Sequence, residues 1–418
     1  MPDQIIISDL AQPELTQMQL GAIAAMPAMD ITVEGVVQAA KAATGLSDFG
    51  ADDFLQRLGI WVEAINADTP LNAFGRASLF GDCVRLCCNR LKLENKLKQH
   101  PEILETALPE PVIIAGLPRS GTTHLVNILA SDSRFNSMPL WETMDPVADD
   151  GIAVGADDPR HQNCREMWGQ FETLLPYMPA MHEMAPDHVH EDVELMGADF
   201  SGYVLEWVCR PHAWRDHYLK HDQTPHYAYA KKILQYLTWR RGPAKWVMKS
   251  PPHMENFNAV QTVYPDAKVI ITHRDPVAVL QSAITMIGYG DRLRRDEIDL
   301  PALADYWIDR LETMLQRCVR DRENLPPDSS MDVLFHEYMA DQNGTIERAY
   351  ALAGLEITPE ARRVIDSYLA DNQRGKHGQV VYDLVGDFGV DIDAVRDRFA
   401  FYYDKFPVRK EPVKGETI

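Results

Sequence analysis

The sequence predicts an α/β protein of three layers: a central, mostly parallel sheet flanked by helices and preceded by a helical N-terminal region. Three observations carry this. A short apolar run, Val-Ile-Ile-Ala at 112–115, is bounded by Pro111 and Gly116, and Leu125, Ile128 and Leu129 then recur at helical spacing, which is the pattern of strand, tight loop and helix. Two further apolar runs, 246–249 and 267–273, read as short strands that end at Lys249 and just before Arg274. Residues 1–105 lack any strand-rich core, and Leu79, Cys83, Leu86, Cys87, Leu91 and Leu97 form one amphipathic stripe that His100-Pro101 ends.

Composition narrows the function. The 418 residues suffice for one large α/β domain with insertions or for two domains, and 45% apolar with 25% charged residues excludes a disordered chain. A net charge of −21 argues against a general affinity for nucleic acid or anionic membrane, so a polyanionic ligand must meet a local basic pocket. Lys41 is the first basic residue and no apolar run approaches the ~18 residues of a membrane span, which makes the cytoplasm the default expectation. The six cysteines fit no zinc spacing and read as reduced and structural, with Cys83 and Cys87 on one helical face.

The N-terminal stretch 1–105 reads as a helical cap, which could also cover a substrate pocket or pair with a second copy. The loop at 116–123 then has the glycine spacing of a phosphate-binding P-loop, but Thr122 stands where the Walker motif needs lysine. Arg119 is its only cation. Backbone N–H groups at the helix start, with the hydroxyls of Thr122 and Thr123, can hold an anionic phosphate, and the plainer alternative is a turn capped by Ser120 or Thr122. Glu142 follows Arg119 by twenty-three residues in a proline-bounded segment, 138–146, that reads as an irregular loop at the carboxyl end of the sheet.

Residues 150–245 read as a helical insertion rich in aromatics, methionine and histidine, including Trp168, Phe171, Met178 and Trp207, suited to lining an apolar pocket. His188, His190, Glu191, Asp192 and Glu194 invite a metal, but the spacing is not His-Glu-x-x-His, so the cluster reads as a solvated charged face and no metal is expected. Lys249 and Arg274, at strand ends, project toward the crevice of the 116–123 loop. Ser282, eight residues after Arg274, is about two turns into the next helix, where it completes a second phosphate pocket. Beyond residue 290 the chain is helical through Met314 and Cys318, has a strand at 331–335, and returns to helix until Leu369. Arg374, Lys376 and His377 make a glycine-broken basic run in an acidic chain, which is a phosphate clamp or an exposed turn.

Five motifs in this order resemble a known family. Gly-Leu-Pro-Arg-Ser-Gly-Thr-Thr at 116–123, Trp-Glu at 141–142, Met-Lys-Ser-Pro at 248–251, His-Arg-Asp-Pro at 273–276 with Ser282, and Arg-Gly-Lys-His at 374–377 are similar to sulfotransferases that use 3′-phosphoadenosine 5′-phosphosulfate. The likeness runs from about residue 75 to 390. It resembles most the broad bacterial family whose loop carries Pro-Arg-Ser-Gly-Thr-Thr, shared with tyrosylprotein sulfotransferases.

That resemblance implies a division into the cap (1–105), a sulfotransferase domain (106–400) with a substrate-binding insertion (150–245), and a C-terminal tail (401–418). It implies that Arg119, Ser120, Gly121, Thr122 and Thr123 hold the 5′-phosphosulfate and that Arg274 and Ser282 hold the 3′-phosphate, with Arg374 and Lys376 closing over it. Arg119 and Lys249 would stabilise the bridging oxygen and the leaving adenosine 3′,5′-bisphosphate without a metal. The histidine that cytosolic members place two residues after the lysine is Pro251 here. Glu142 sits where the tyrosylprotein and heparan-type branches have their glutamate and is therefore the expected general base, with His253, His182, His188 or His190 as runners-up. His124 is a cofactor contact or a plain helix-start histidine. The expected acceptor is a small apolar alcohol or phenol, a homo-oligomer stays open, and the rival readings are a P-loop kinase and a nucleotide-binding protein without turnover.

Overall fold

The computed structural model describes residues 4–153, 158–373 and 375–414. Five strands form the central sheet: β1 (Val112–Gly116), β2 (Phe135–Asn136), β3 (Lys245–Lys249), β4 (Lys268–His273) and β5 (Ser330–Leu334). Their order is β2-β3-β1-β4-β5 and every pairing is parallel, as crossover helices on both faces require. β1 is buried along its whole length. Its alternation feeds two cores, since Ile113 and Ala115 face one apolar cluster and Val112 and Ile114 the other.

The helices that position the site are α1 (Ala73–Gln99), α2 (Thr122–Ala130), α3 (Leu140–Met144), α4 (Pro159–Leu174), α5 (Thr224–Arg241), α6 (Pro276–Arg294) and α7 (Leu300–Asp321). α1 starts under an Asn72 side chain that accepts from Gly75 N–H and ends at His100, and its stripe residues Leu79, Cys83, Leu86, Cys87 and Leu91 are buried. All six cysteines are free. The first hundred residues share the main core with the rest of the chain, because Leu58, Trp61 and Leu86 belong to the same cluster as Tyr203, Trp214 and Trp307. The segment around Glu142, expected as an irregular loop, is the short helix α3. No helix among the described residues is long and apolar enough to cross a membrane.

Register sets the functional edge. Ile114 lies opposite both Lys249 and Ile270, and Gly116 lies opposite Thr272, so the carboxyl ends of β1, β3 and β4 finish at one level. The strand-end loops therefore open on the same side of the sheet. Gly116 is required there, because a Cβ at that position would sit 2.0 Å from Thr272 Oγ1 and 2.9 Å from Ser120 Oγ. Gly116→Ala should lower stability by about 1–3 kcal/mol through overpacking, read as a drop in the urea midpoint. An unchanged midpoint would contradict the close approach.

Candidate active site

The loop between β1 and α2 turns on two left-handed residues, Arg119 (φ 65°) and Gly121 (φ 88°). The second suits glycine. The first is a non-glycine residue held in a costly conformation by what its side chain and carbonyl do. Arg119 Nε donates to Ser282 Oγ at 3.0 Å, its guanidinium also donates to the Met181 carbonyl, and its own carbonyl accepts from Arg274 Nη1 at 2.5 Å. No side chain caps α2, so the reading of a turn capped by Ser120 or Thr122 does not describe this loop. Ser120 instead turns inward, with Oγ 2.5 Å from the Leu117 carbonyl and 2.7 Å from Thr272 Oγ1. Its side chain braces the loop.

A cavity of about 750 Å³ opens at the functional edge, and Arg119, Gly121, Thr122, Thr123, Lys249 and Arg274 all line it. One half is bounded by Phe335, Tyr338, Gln342 and His124, whose Nδ1 lies 2.7 Å from Tyr338 Oη. The other half is apolar, walled by Trp168, Phe171, Met178, Trp207, Met286 and Ile287, so the aromatic and methionine-rich segment does line the pocket. Helix α1 contributes as well, through Asp82 and Arg85.

Arg119, Lys249 and Arg274 are each held by oxygen. Lys249 Nζ donates to Glu191 Oε1 at 2.5 Å. Arg274 forms a fork with Glu411, Nε and Nη2 each 2.7 Å from a carboxylate oxygen, and lies 4.2 Å over the Phe335 ring. Glu411 belongs to the strap that follows the helix Ala400–Lys405, and its backbone N–H is tied to Asp275 at 2.6 Å. Ser282 stands behind Arg119, donating to Tyr382 Oη at 3.0 Å, and does not line the cavity. Lys376 is also outside it, bonded to Glu183 at 2.9 Å and to Asn372 at 2.8 Å, and Arg374 lies outside the described residues.

The expected base lies away from the cavity. Glu142 is buried, is absent from the cavity wall, and forms an ion pair with Arg241 at the end of α5. Because 140–144 folds as helix, Met144, two residues on and on the opposite side, is the α3 residue that reaches the cavity. Glu191, read from sequence as part of a solvated face, is the carboxylate that lines it beside Lys249. Of the runner-up histidines, His182 and His190 line the cavity with rings stacked 5.6 Å apart, while His253 is buried between Asp192 and Tyr227. Burial pushes His190 down to about 3 and His188 to about 4, and holds His182 well below its ordinary value, so all three are neutral at pH 7.

The profile of the sulfotransferase family matches residues 111–359, more than half of the sequence and the whole span from β1 past β5. The chain belongs to the sulfotransferase family. Two solved structures share the fold of this sulfotransferase. STF1, a sulfotransferase from Mycobacterium tuberculosis H37Rv, is 24% identical with a TM-score of 0.78, covering 89% of this chain and 99% of its own. STF9, a sulfotransferase from Mycobacterium avium, is 23% identical with a TM-score of 0.80, covering 93% of this chain and 100% of its own. No curated protein matches the sequence.

Two carboxylates that pair with cations of the cavity were not singled out by sequence reasoning. Glu191 was hidden in an acidic cluster, and Glu411 lies far along the chain in a tail without a motif. The only signal for Glu191 was its position after histidines in a segment already expected to line a pocket.

The neutral histidines set an acid limit on stability. Below their unfolded value near 6.5 the unfolded chain binds protons that the folded protein refuses, so stability falls as pH drops from about 6.5 toward 4. His190→Asn should flatten the acid-side slope of the urea midpoint against pH. A slope identical to the wild type would contradict a buried, neutral His190.

Proposed function

We propose that this protein transfers a sulfuryl group from 3′-phosphoadenosine 5′-phosphosulfate to a hydroxyl of a small apolar or phenolic acceptor, with Glu191 as general base. The observation that carries this reading is the meeting of Lys249 and Glu191 at 2.5 Å in a cavity with cationic, phosphate-loop residues in one half and an apolar wall in the other. The residues fit such a donor. α2 starts without a side-chain cap, which leaves its positive end to an anion, and the Arg274 fork already grips a carboxylate in the form in which it would grip a phosphate.

Arg119, Gly121, Thr122 and Thr123 would hold the phosphosulfate. Arg274 would hold the 3′-phosphate, with Ser282 fixing Arg119 from behind and Arg374 and Lys376 as the closing clamp. When bound, the donor supplies the sulfuryl group, its sulfur–oxygen bond to the 5′-phosphate breaking as the acceptor oxygen bonds to sulfur. Arg119 and Lys249 stabilise the charge that gathers on the bridging oxygen. Glu191 takes the proton of the acceptor hydroxyl. Its pairing with Lys249 would keep base and cation together beside the reacting atoms.

A radiolabelled-sulfate transfer assay to a simple phenol tests the assignment. Glu191→Gln should lower turnover by about a hundredfold or more while leaving affinity for adenosine 3′,5′-bisphosphate within about twofold of wild type, since base removal acts on proton transfer and not on donor binding. An unchanged rate would move the base to His182 or His190.

A further inference from the structure

One arginine of the cavity wall carries no direct ion pair. Arg294, the last residue of α6, lines the cavity, and among the described residues its guanidinium makes no hydrogen bond and no ion pair; it lies 5.8 Å over the Phe171 ring and feels the Asp291 and Asp82 carboxylates at longer range. The other charges there are already committed: Arg85 bridges Asp82 (3.3 Å) and Glu194 (3.0 Å), while Asp291 is paired with Arg210 and Arg295. Burial lowers the Arg294 pKa, against the pull of the Asp291 and Asp82 carboxylates, which raise it.

Helix α6 is also a ruler. Ser282, Met286, Gly290 and Arg294 recur every four residues along one face, beginning at the serine that accepts from Arg119. The Arg294 side chain folds back along this face, because a Cβ on Gly290 would lie 3.0 Å from its Nη1. The guanidinium is therefore level with Gly290, about 12 Å along the axis from Ser282 at 1.5 Å per residue. The wall between them is Met286 and Ile287.

We infer that Arg294 is the acceptor-specificity residue, and that the acceptor is a hydroxy acid whose apolar body separates the reacting hydroxyl from a single carboxylate. A planar guanidinium fork matches a carboxylate, and neighbouring Asp82 and Glu194 make a dianionic phosphate a worse fit. This inference rests on the sulfuryl-transfer reading, in which the hydroxyl meets Glu191.

The test compares 10-hydroxydecanoate, an apolar chain with a hydroxyl at one end and a carboxylate at the other, with its methyl ester. Calorimetry on wild type, Arg294→Gln and Arg294→Lys, with and without adenosine 3′,5′-bisphosphate, should give the wild type at least a tenfold preference for the acid, as about 1.5–3 kcal/mol for a charged hydrogen bond implies. The preference should vanish in Arg294→Gln and survive in part in Arg294→Lys, with bisphosphate affinity the same in all three. Equal binding of acid and ester by the wild type, or a preference that persists in Arg294→Gln, would overturn the inference. Failure of the bisphosphate to bind any of the proteins would instead sink the donor assignment, and the comparison without bisphosphate would still decide the role of Arg294.

Discussion

The site depends on gathering like charges inside an acidic protein. Arg119, Lys249 and Arg274 come from three different strand ends and meet in one cavity, where their mutual repulsion has to be offset. Each is offset by an oxygen of the chain itself: the Ser282 hydroxyl and Met181 carbonyl for Arg119, Glu191 for Lys249, and the Glu411 fork for Arg274. The same contacts preset the cations for an anionic ligand, since side chains already fixed lose less entropy on binding. Glu411 has a further consequence. A ligand phosphate on Arg274 must share or displace that carboxylate, which links the C-terminal strap to occupancy of the loop.

The fold supplies the geometry for this convergence. Parallel register brings the ends of β1, β3 and β4 level, and Gly116 lets β1 and β4 close around Ser120 and Thr272. A strained Arg119 is then tolerable, because its carbonyl and side chain are both anchored. The apolar half is built from more distant parts of the chain, with α1, α4 and α6 each lending residues, so the N-terminal helices are at once part of the core and part of the wall. The long α6 joins the two halves, with Ser282 near its start behind Arg119 and Arg294 at its end among the apolar walls.

Much of this was legible from the sequence, because local signals carried it. The strand and loop at 112–123 and the strand ends at Lys249 and Arg274 are set by apolar runs, glycine spacing and parallel-sheet logic, and the chain shows them where they were expected. What sequence reasoning missed depends on long-range pairing. Glu142 has the spacing of a base, yet a single helical turn at 140–144 directs it to Arg241, a residue far along the chain that no motif marks. Glu191 looked like one charge among several on a wet face, whereas the structure pairs it with Lys249 at the cavity wall. Lys376 follows the same logic in reverse, since Glu183 engages it at the surface of the structure. Residue type identifies which groups can do chemistry, but the partner each one finds is fixed by tertiary packing.

The central claim is that the loop of Arg119 and paired threonines, together with Arg274, binds a nucleotide carrying both a 5′- and a 3′-phosphate. Titration calorimetry of adenosine 3′,5′-bisphosphate into the full-length protein in the presence of a chelator measures this directly. The account predicts one site per chain, affinity in the micromolar range or better, and much weaker binding of the 5′-monophosphate, which cannot engage Arg274. Equal affinity for the two nucleotides, or binding only of ATP with magnesium, would contradict it.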